Sequence, residues 1–360
     1  MAESAFPGGD PWYTADGAEN DVIVSTRARL ARNLANFQFP GTISPDDAER
    51  VQSLVFDSFS QLDTAQLFHL VRTSALDKLG AEILSERGAA GTPQGTGIIM
   101  RNDGRVSCLV NSVDHVRIAS FAPGLSCSGV FNDCRAVDDG LQNTLQFAAS
   151  YDFGYLTSSL NDAGSGMKLS LRVHLPSVSF CGKAEELVTE LRNRGLSVSA
   201  VYGTGDDYGT SLGSYYEIAT LSSEAGAEID QIAGIEAAGR YCAETERKFR
   251  AECADNKPTA VHNVILRAFA SAKFSTLMKL REAVSVVSAV KWGKDLGIIS
   301  GIEDSVLCGL LYRIQNGHLE FLLENGNFRF ERDIENSIPQ KLERLRALTL
   351  QEAFEKTEFA

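Results

Sequence analysis

The sequence predicts an α+β chain in which antiparallel strands, joined over short distances, precede a helical C-terminal region. Three features carry this. Apolar and polar residues alternate with period two through residues 21–30 and 168–175, as in strands with one covered face. Asn102-Asp103-Gly104 supplies turn chemistry between the runs IIMR and VSCLV, which makes a hairpin. Beyond about Glu224 the pattern changes to helical spacing almost without interruption.

Taken in order, residues 1–20 are acidic and Gly-rich and read as a flexible leader. In DVIVSTRARL, residues 21–30, the alternation puts Arg27 and Arg29 on the same face of a strand. Ser44-Pro45-Asp46-Asp47 begins a helix, with Ser as cap, Pro in the first turn and acids at the positive dipole end. Val51, Leu54, Val55 and Phe59 form its apolar stripe, which should cover a sheet. Two or three strands are expected within residues 97–121. In residues 168–175, Leu169, Leu171, Val173 and Leu175 alternate with Lys168, Ser170, Arg172 and His174, separating an apolar face from a cationic one. Residues 183–194 form a helix stopped by Gly195, LSVSAVY follows as a strand, and residues 203–213 are a polar loop. Helices are expected over 228–253, 260–272, 275–290, 305–315 and 332–348. The break at Asn256-Lys257-Pro258 divides a domain over 21–255 from a helical domain over 259–350.

Composition narrows the function classes. A chain of 360 residues, 44% hydrophobic and 22% charged, predicts two packed domains, or one large domain carrying an extension, rather than disorder. Its 34 Lys and Arg against 47 Asp and Glu give a net charge of -13, which repels nucleic acid unless cations gather locally. No apolar run approaches the roughly 18 to 20 residues of a membrane span, and the best, residues 283–290, reads as a short buried patch. With no translocon signal at the start, a cytoplasmic protein is expected. Seven cysteines without a CxxC pair read as reduced thiols, and five dispersed histidines give no structural metal.

Neither a GxxxxGK[ST] loop nor an HRD-like loop is present, so the two commonest ATP-binding solutions are absent. GTGDDYG, residues 203–209, does not have dinucleotide spacing, and on its own reads as a surface loop. What the motifs carry together is a resemblance. DVIVSTRARLARN resembles the opening signature of the ATP:guanidino phosphotransferases, which comprise the phosphagen kinases and the bacterial protein-arginine kinases. Further on, NSVDHVR (111–117) is similar to the family's NEEDHLR, GYLTSS with GSG (154–166) to its GYLTSC and GTG stretch, and 168–176 to RASVxxHLP. The C-terminal half, including KDLGII (294–299) and ERDI (331–334), is similar to the protein-arginine kinase branch.

The resemblance implies a largely antiparallel sheet flanked by helices, of guanidino kinase catalytic-domain type, and a helical C-terminal domain. It implies Mg-ATP on the sheet, with transfer of the γ-phosphoryl group to a guanidinium of a protein arginine, in a homodimer. Bidentate guanidinium–phosphate bonds suit a reaction that asks for positioning and charge stabilisation. A guanidinium, with a pKa above about 12, becomes a nucleophile only when carboxylates orient it and draw off a proton. Residue by residue, the nucleotide would lie on Ser25, Thr26, Arg27, Ala28, Arg29, His115, Arg117, Lys168 and Arg172, and the guanidinium would meet Asp207 and Ser159.

Departures from the pattern cut against full activity. Lys168 stands for a fourth arginine and cannot reproduce its planar fork. Tyr202 stands for a fifth arginine, Val113 for the family's base and Ser159 for its reactive cysteine, while Asp207 is a shortened second carboxylate. In the RDxxRA region, Arg332 to Ser337, Glu335 and Asn336 remove positive charge from a phosphoarginine pocket. A missing base typically costs about 10² to 10⁴ in rate and a missing transition-state arginine about 10³ to 10⁵. Two expectations follow: an arginine kinase of lowered activity in which Asp114, Asp206 or Asp207 replaces the lost carboxylate, or a pseudokinase that keeps the scaffold and regulates a partner. The acceptor, protein arginine or free arginine, stays open.

Overall fold

The structure is a computed structural model that describes residues 11–76, 78–80, 82, 96–203, 211–223 and 227–360. An eight-stranded sheet in the order β2-β3-β4-β5-β1-β8-β10-β9 organises the first two thirds of the chain. Its strands are β1 (Ile23–Arg32), β2 (Phe68–Arg72), β3 (Gly97–Arg101), β4 (Val106–Val110), β5 (Val116–Pro123), β8 (Met167–His174), β9 (Leu196–Ala200) and β10 (Tyr215–Thr220), and every pairing is antiparallel. A two-residue ribbon of β6 (Ala149–Ser150) and β7 (Gly154–Tyr155) stands apart. The expected hairpin is β3–β4, with Met100 opposite Ser107 across the Asn102-Asp103-Gly104 turn.

Helices pack on one sheet face. These are α1 (Pro45–Ser60), α2 (Cys127–Leu141), the short α3 (Pro176–Phe180), α4 (Ala184–Asn193) and α5 (Glu228–Asn256). Ala28, Leu30, Ile118, Leu169, Leu171, Val173 and Ile218 form the sheet side of the core, against Val130 and Cys134 of α2 and Ile235, Ala238 and Cys242 of α5. Gly239 lets α5 come close, because a Cβ there would stand 2.7 Å from Leu171 Cδ1. In α1 the Ser44 cap accepts from the Asp47 amide, and Val51, Val55 and Phe59 are buried. Leu54 is 43% exposed and not part of the stripe.

Lys257 separates α5 from α6 (Pro258–Phe274), which begins with proline, where a missing N–H costs nothing. α7 (Leu280–Asp295), α8 (Asp304–Arg313), α9 (Asn316–Asn325) and α10 (Ile338–Ala353) complete the helical region, and β11 (Ile299–Ser300) pairs with β12 (Glu358–Phe359). α7 is buried nearly all round, from Ala283 to Gly293, and so is the central helix. It also meets the sheet region: Trp292 Nε1 donates to Ser177 Oγ at 2.8 Å, and Ser288 Oγ to the Gly213 carbonyl at 2.7 Å. Arg250 of α5 reaches Asp21 at 3.0 Å and Asp295 of α7 at 3.7 Å, linking the segment before β1 to α7 electrostatically.

Several elements differ from expectation. Strands β2 and β10 were not foreseen, nor was α9, whose Leu319, Leu322 and Leu323 carry helical spacing. The helix expected from residue 275 begins at Leu280, because Met278 is pinned outside it, its amide donating to the Glu343 carbonyl and its carbonyl accepting from Arg346, and Lys279 is extended. The helix expected from Arg332 begins at Ile338, since Pro339 is tolerated only in a first turn. Of the segment expected to be a flexible leader, residues 11–20 lie against the body: Trp12 stacks on Phe121 at 5.5 Å, and Tyr13 on Tyr312 of α8 at 4.6 Å. All seven cysteines are unlinked, Cys181 and Cys253 having sulfurs 3.0 Å apart.

Candidate active site

The sheet face away from α2 and α5 is polar, and strand register decides what meets there. Residues directly opposite on antiparallel strands share a face. Arg29 of β1 pairs with Lys168 of β8, Arg27 with Ser170 and Ser25 with Arg172. On the other side, Arg27 pairs with Phe121, Arg29 with Ala119 and Ala31 with Arg117. Glu217 of β10 lies opposite Arg172, and Ala219 opposite Ser170. Arg27, Arg29, Arg117, Lys168 and Arg172 therefore converge, and the small Ser25, Ser170, Ala119 and Ala219 between them leave the floor low. Five cations against the carboxylates of Glu217 and Asp162 make this a basic patch on an acidic chain.

Among the described residues, most of these cations have no hydrogen-bond acceptor. Arg29 donates to Asp162 at 2.6 Å, but among the described residues Arg27, Arg117, Lys168 and Arg172 make no hydrogen bond to a protein acceptor. The Nε atoms of Arg27, Arg29, Arg117 and Arg172 are buried and unsatisfied. Burial, followed by the nearby Arg29, pushes Arg117 down to about 10, although Asp114 and Asp162 oppose this. Arg27 is likewise lowered by burial and then by Arg29 and Arg172. Arg172 is instead raised despite its burial, by Tyr202, Tyr312 and Glu217. Guanidinium groups that keep orphan donors, two of them destabilised by burial and by neighbouring arginines, fit a polyanion such as a triphosphate. Aromatic rings support them: Phe121 lies 5.1 Å from the Arg27 guanidinium, and Tyr202 lies 5.8 Å from that of Arg172.

Other expected site residues are placed differently. Thr26 and Ala28 point to the opposite face, as period two requires; Thr26 Oγ1 donates to the Gly124 carbonyl at 2.6 Å, and Ala28 is in the core. His115 is fully buried, its Nδ1 accepting from the Leu34 amide at 3.1 Å and its Nε2 lying 3.0 Å from the Gln38 carbonyl. Burial lowers its pKa, so a neutral ring clamps two backbone segments and leaves nothing for a nucleotide. His174 is buried too, 2.8 Å from Ser288 Oγ, and ends the cationic face at Arg172. Asp207 and Asp206 lie outside the described residues. Ser159 stands at the start of a turn whose last residue is Asp162, and Asp114 ties that turn to β5 by accepting from the Ser158 amide at 2.7 Å. Asp162, Glu217 and Phe121 were missed, although Asp162 falls inside the GYLTSS and GSG stretch. Among the described residues there is no group of three or more His, Cys, Asp or Glu arranged to hold a metal ion.

Comparison with known proteins decides the family. Residues 49–248 match the family described as ATP:guanido phosphotransferase, C-terminal catalytic domain, and residues 258–359 match the protein-arginine kinase McsB C-terminal domain. The chain belongs to the ATP:guanido phosphotransferase family. Within it, similarity runs to the bacterial protein-arginine kinase branch. A protein-arginine kinase of Halothermothrix orenii is 29% identical over 331 residues, covering 91% of this chain and 94% of the relative. One from Syntrophomonas wolfei is 28% identical over 318 residues, covering 86% and 88%. Solved structures share the guanidino kinase fold at low identity. The duplicated taurocyamine kinase from Schistosoma mansoni, bound to transition-state analog components, matches with a TM-score of 0.60 and 15% identity over 77% of this chain. This chain spans only 41% of that duplicated enzyme. A lombricine kinase matches with a TM-score of 0.55 and 17% identity, covering 70% of this chain and 76% of that one.

Proposed function

We propose that this protein transfers the γ-phosphoryl group of Mg-ATP to arginine side chains of proteins, with less turnover than a site holding every family group. The observation that carries this reading is the shared sheet face of Arg27, Arg29, Arg117, Lys168 and Arg172, four of them without a hydrogen-bond acceptor among the described residues. Arg29, Arg117 and Lys168 hold the terminal phosphate, because they lie toward the turn of Ser159 and Asp162, and Arg27 and Arg172 hold the inner phosphates. Magnesium, when bound with the nucleotide, neutralises phosphate charge. The chain's own part is to fix the phosphates in line with the acceptor and to stabilise charge on the equatorial oxygens. Asp207 and Ser159 are the residues carried over by resemblance for the guanidinium. The printed names of the curated relatives support protein arginine as the acceptor. A cytoplasmic homodimer belongs to the same reading.

A second reading, a pseudokinase that keeps nucleotide and regulates a partner, is favoured by Val113, which is 46% exposed and offers no carboxylate, and by Tyr202, which offers no charge. One experiment separates them. Enzyme at high concentration is incubated with Mg-ATP and an arginine-rich protein, and acid-labile phosphoarginine is measured by mass spectrometry, with nucleotide binding measured by calorimetry. Phosphoarginine above a no-enzyme control supports the kinase. Binding without phosphoarginine supports the pseudokinase, and absence of both rejects the nucleotide site.

A further inference from the structure

Asp162 Oδ2 accepts a 2.6 Å hydrogen bond from Arg29 Nη2, with side-chain exposures of 11% and 16%. Arg29 is thus the one cation of this face that is already hydrogen-bonded to a carboxylate among the described residues. Asp162 also stands close enough to Arg117 to favour its charge. Its backbone is held without help from the side chain: the Asp162 amide donates to the Ser159 carbonyl at 3.0 Å, and the Ser223 amide to the Asn161 carbonyl at 2.8 Å. The side chain is a carboxylate on a fixed turn, and among the described residues its hydrogen bond is to the Arg29 guanidinium.

A phosphate oxygen arriving at Arg29 competes for the same donors and repels Asp162. The displaced carboxylate then stands beside the terminal phosphate with acceptors to fill, and the group it has lost is a guanidinium. We infer that Asp162 is the carboxylate that receives the substrate guanidinium, handed over from Arg29 when the terminal phosphate binds. The inference rests on the reading of this face as the Mg-ATP site and supplies the carboxylate that Val113 lacks. In the transfer, the bond from the γ-phosphorus to the bridging oxygen breaks, its electron pair leaving on ADP. A bond forms from phosphorus to the guanidinium nitrogen, and the proton released by that nitrogen goes to Asp162 and on to water.

The exchange makes two affinities interdependent, which a purely structural ion pair would not do. Isothermal titration with a non-hydrolysable ATP analogue, and with a single-arginine peptide beside its citrulline counterpart, reads both in wild type, Asp162→Asn and Asp162→Ala. Both variants should bind the analogue about tenfold more tightly, because Arg29 is released from a charge-assisted bond. In wild type the analogue should raise affinity for the arginine peptide several-fold over the citrulline peptide, and in both variants that coupling should vanish. Where turnover is measurable, kcat should fall about 10² to 10⁴ in Asp162→Asn. Equal analogue affinity together with unchanged coupling overturns the inference alone. Failure of the analogue to bind any of the three proteins overturns the nucleotide site and the inference with it.

Discussion

Arg32 at the end of β1 and Asp138 on α2 form a sealed ion pair, 2.8 Å long, with side-chain exposures of 2% and 5%. Arg32 Nη1 also donates to the Ser165 carbonyl at 3.0 Å, and the Tyr155 ring lies 3.6 Å from the guanidinium carbon. The pair therefore fastens the segment leading into Lys168 to the strand carrying Arg27 and Arg29. Breaking a buried pair by removing one partner costs about 3 to 5 kcal/mol, a large part of a typical stability of roughly 5 to 15 kcal/mol. Asp138→Ala should accordingly lower the urea midpoint sharply. A shift no larger than that of the exposed control Asp139→Ala would contradict the role given to the pair.

If the basic sheet face holds nucleotide as proposed, losing its cations has a graded effect. Arg117→Ala and Arg27→Ala each remove contacts worth about 1.5 to 3 kcal/mol, a weakening of nucleotide binding of roughly 10-fold to 150-fold. Arg101→Ala, whose guanidinium is bound to Asp103 at 2.6 Å and lies in the β3–β4 turn, should leave affinity unchanged. Calorimetry with ADP at two salt concentrations checks this, since losing a phosphate-binding cation also flattens the salt dependence.

Much of this face was legible because strand alternation is a local property. The period of two that joins Arg27 with Arg29, and Lys168 with Arg172, is visible in the sequence and survives folding. The same period sends Thr26 and Ala28 to the core, so their assignment to the nucleotide followed a motif where geometry pointed the other way. His115 looked available beside Arg117, but nothing local reveals that Leu34 and Gln38 close on its ring from about eighty positions away. Glu217 is harder to read, because β10, a run of Tyr215-Tyr216-Glu217-Ile218 with strong strand character, directly follows a Gly-rich loop. Asp162 depends on a contact 133 residues distant, which no spacing rule encodes.

Buried acid chemistry sets a pH response away from the site. Glu246 of α5 is fully buried and accepts from the Ser177 and Val178 amides at 2.9 and 3.0 Å, capping α3. Burial pushes its carboxyl up to about 7 from the usual 4.5, against the opposing pull of those hydrogen bonds. Below about 4.5 both folded and unfolded chains hold the proton. As pH rises toward 7 the unfolded chain ionises first, so stability falls across that window by on the order of 3 kcal/mol and then levels off. Glu246→Gln should flatten this part of the profile. Denaturant midpoints at pH 5 and pH 8 that differ equally in wild type and variant would reject the assignment.

Val113 offers the sharpest test of what limits turnover. It follows Asn111 and Ser112 just before Asp114, whose Oδ1 accepts from Asn33 Nδ2 at 2.9 Å and from the Ser158 amide at 2.7 Å. The loop is thus fixed by Asp114, and Val113 itself is 46% exposed, so a longer polar side chain there reaches solvent rather than a core. Val113→Glu should fold normally and set a carboxylate next to the turn of Ser159 and Asp162. If the missing base limits the reaction, phosphoarginine formation should rise by about 10² to 10⁴ while nucleotide affinity changes little. Tyr202→Arg is a poorer repair, because Tyr202 packs edge-on against Tyr215 at 5.6 Å and faces Arg172, where a second guanidinium would add repulsion. Unchanged turnover in Val113→Glu, with binding intact, would move the limitation from the carboxylate to the missing arginine.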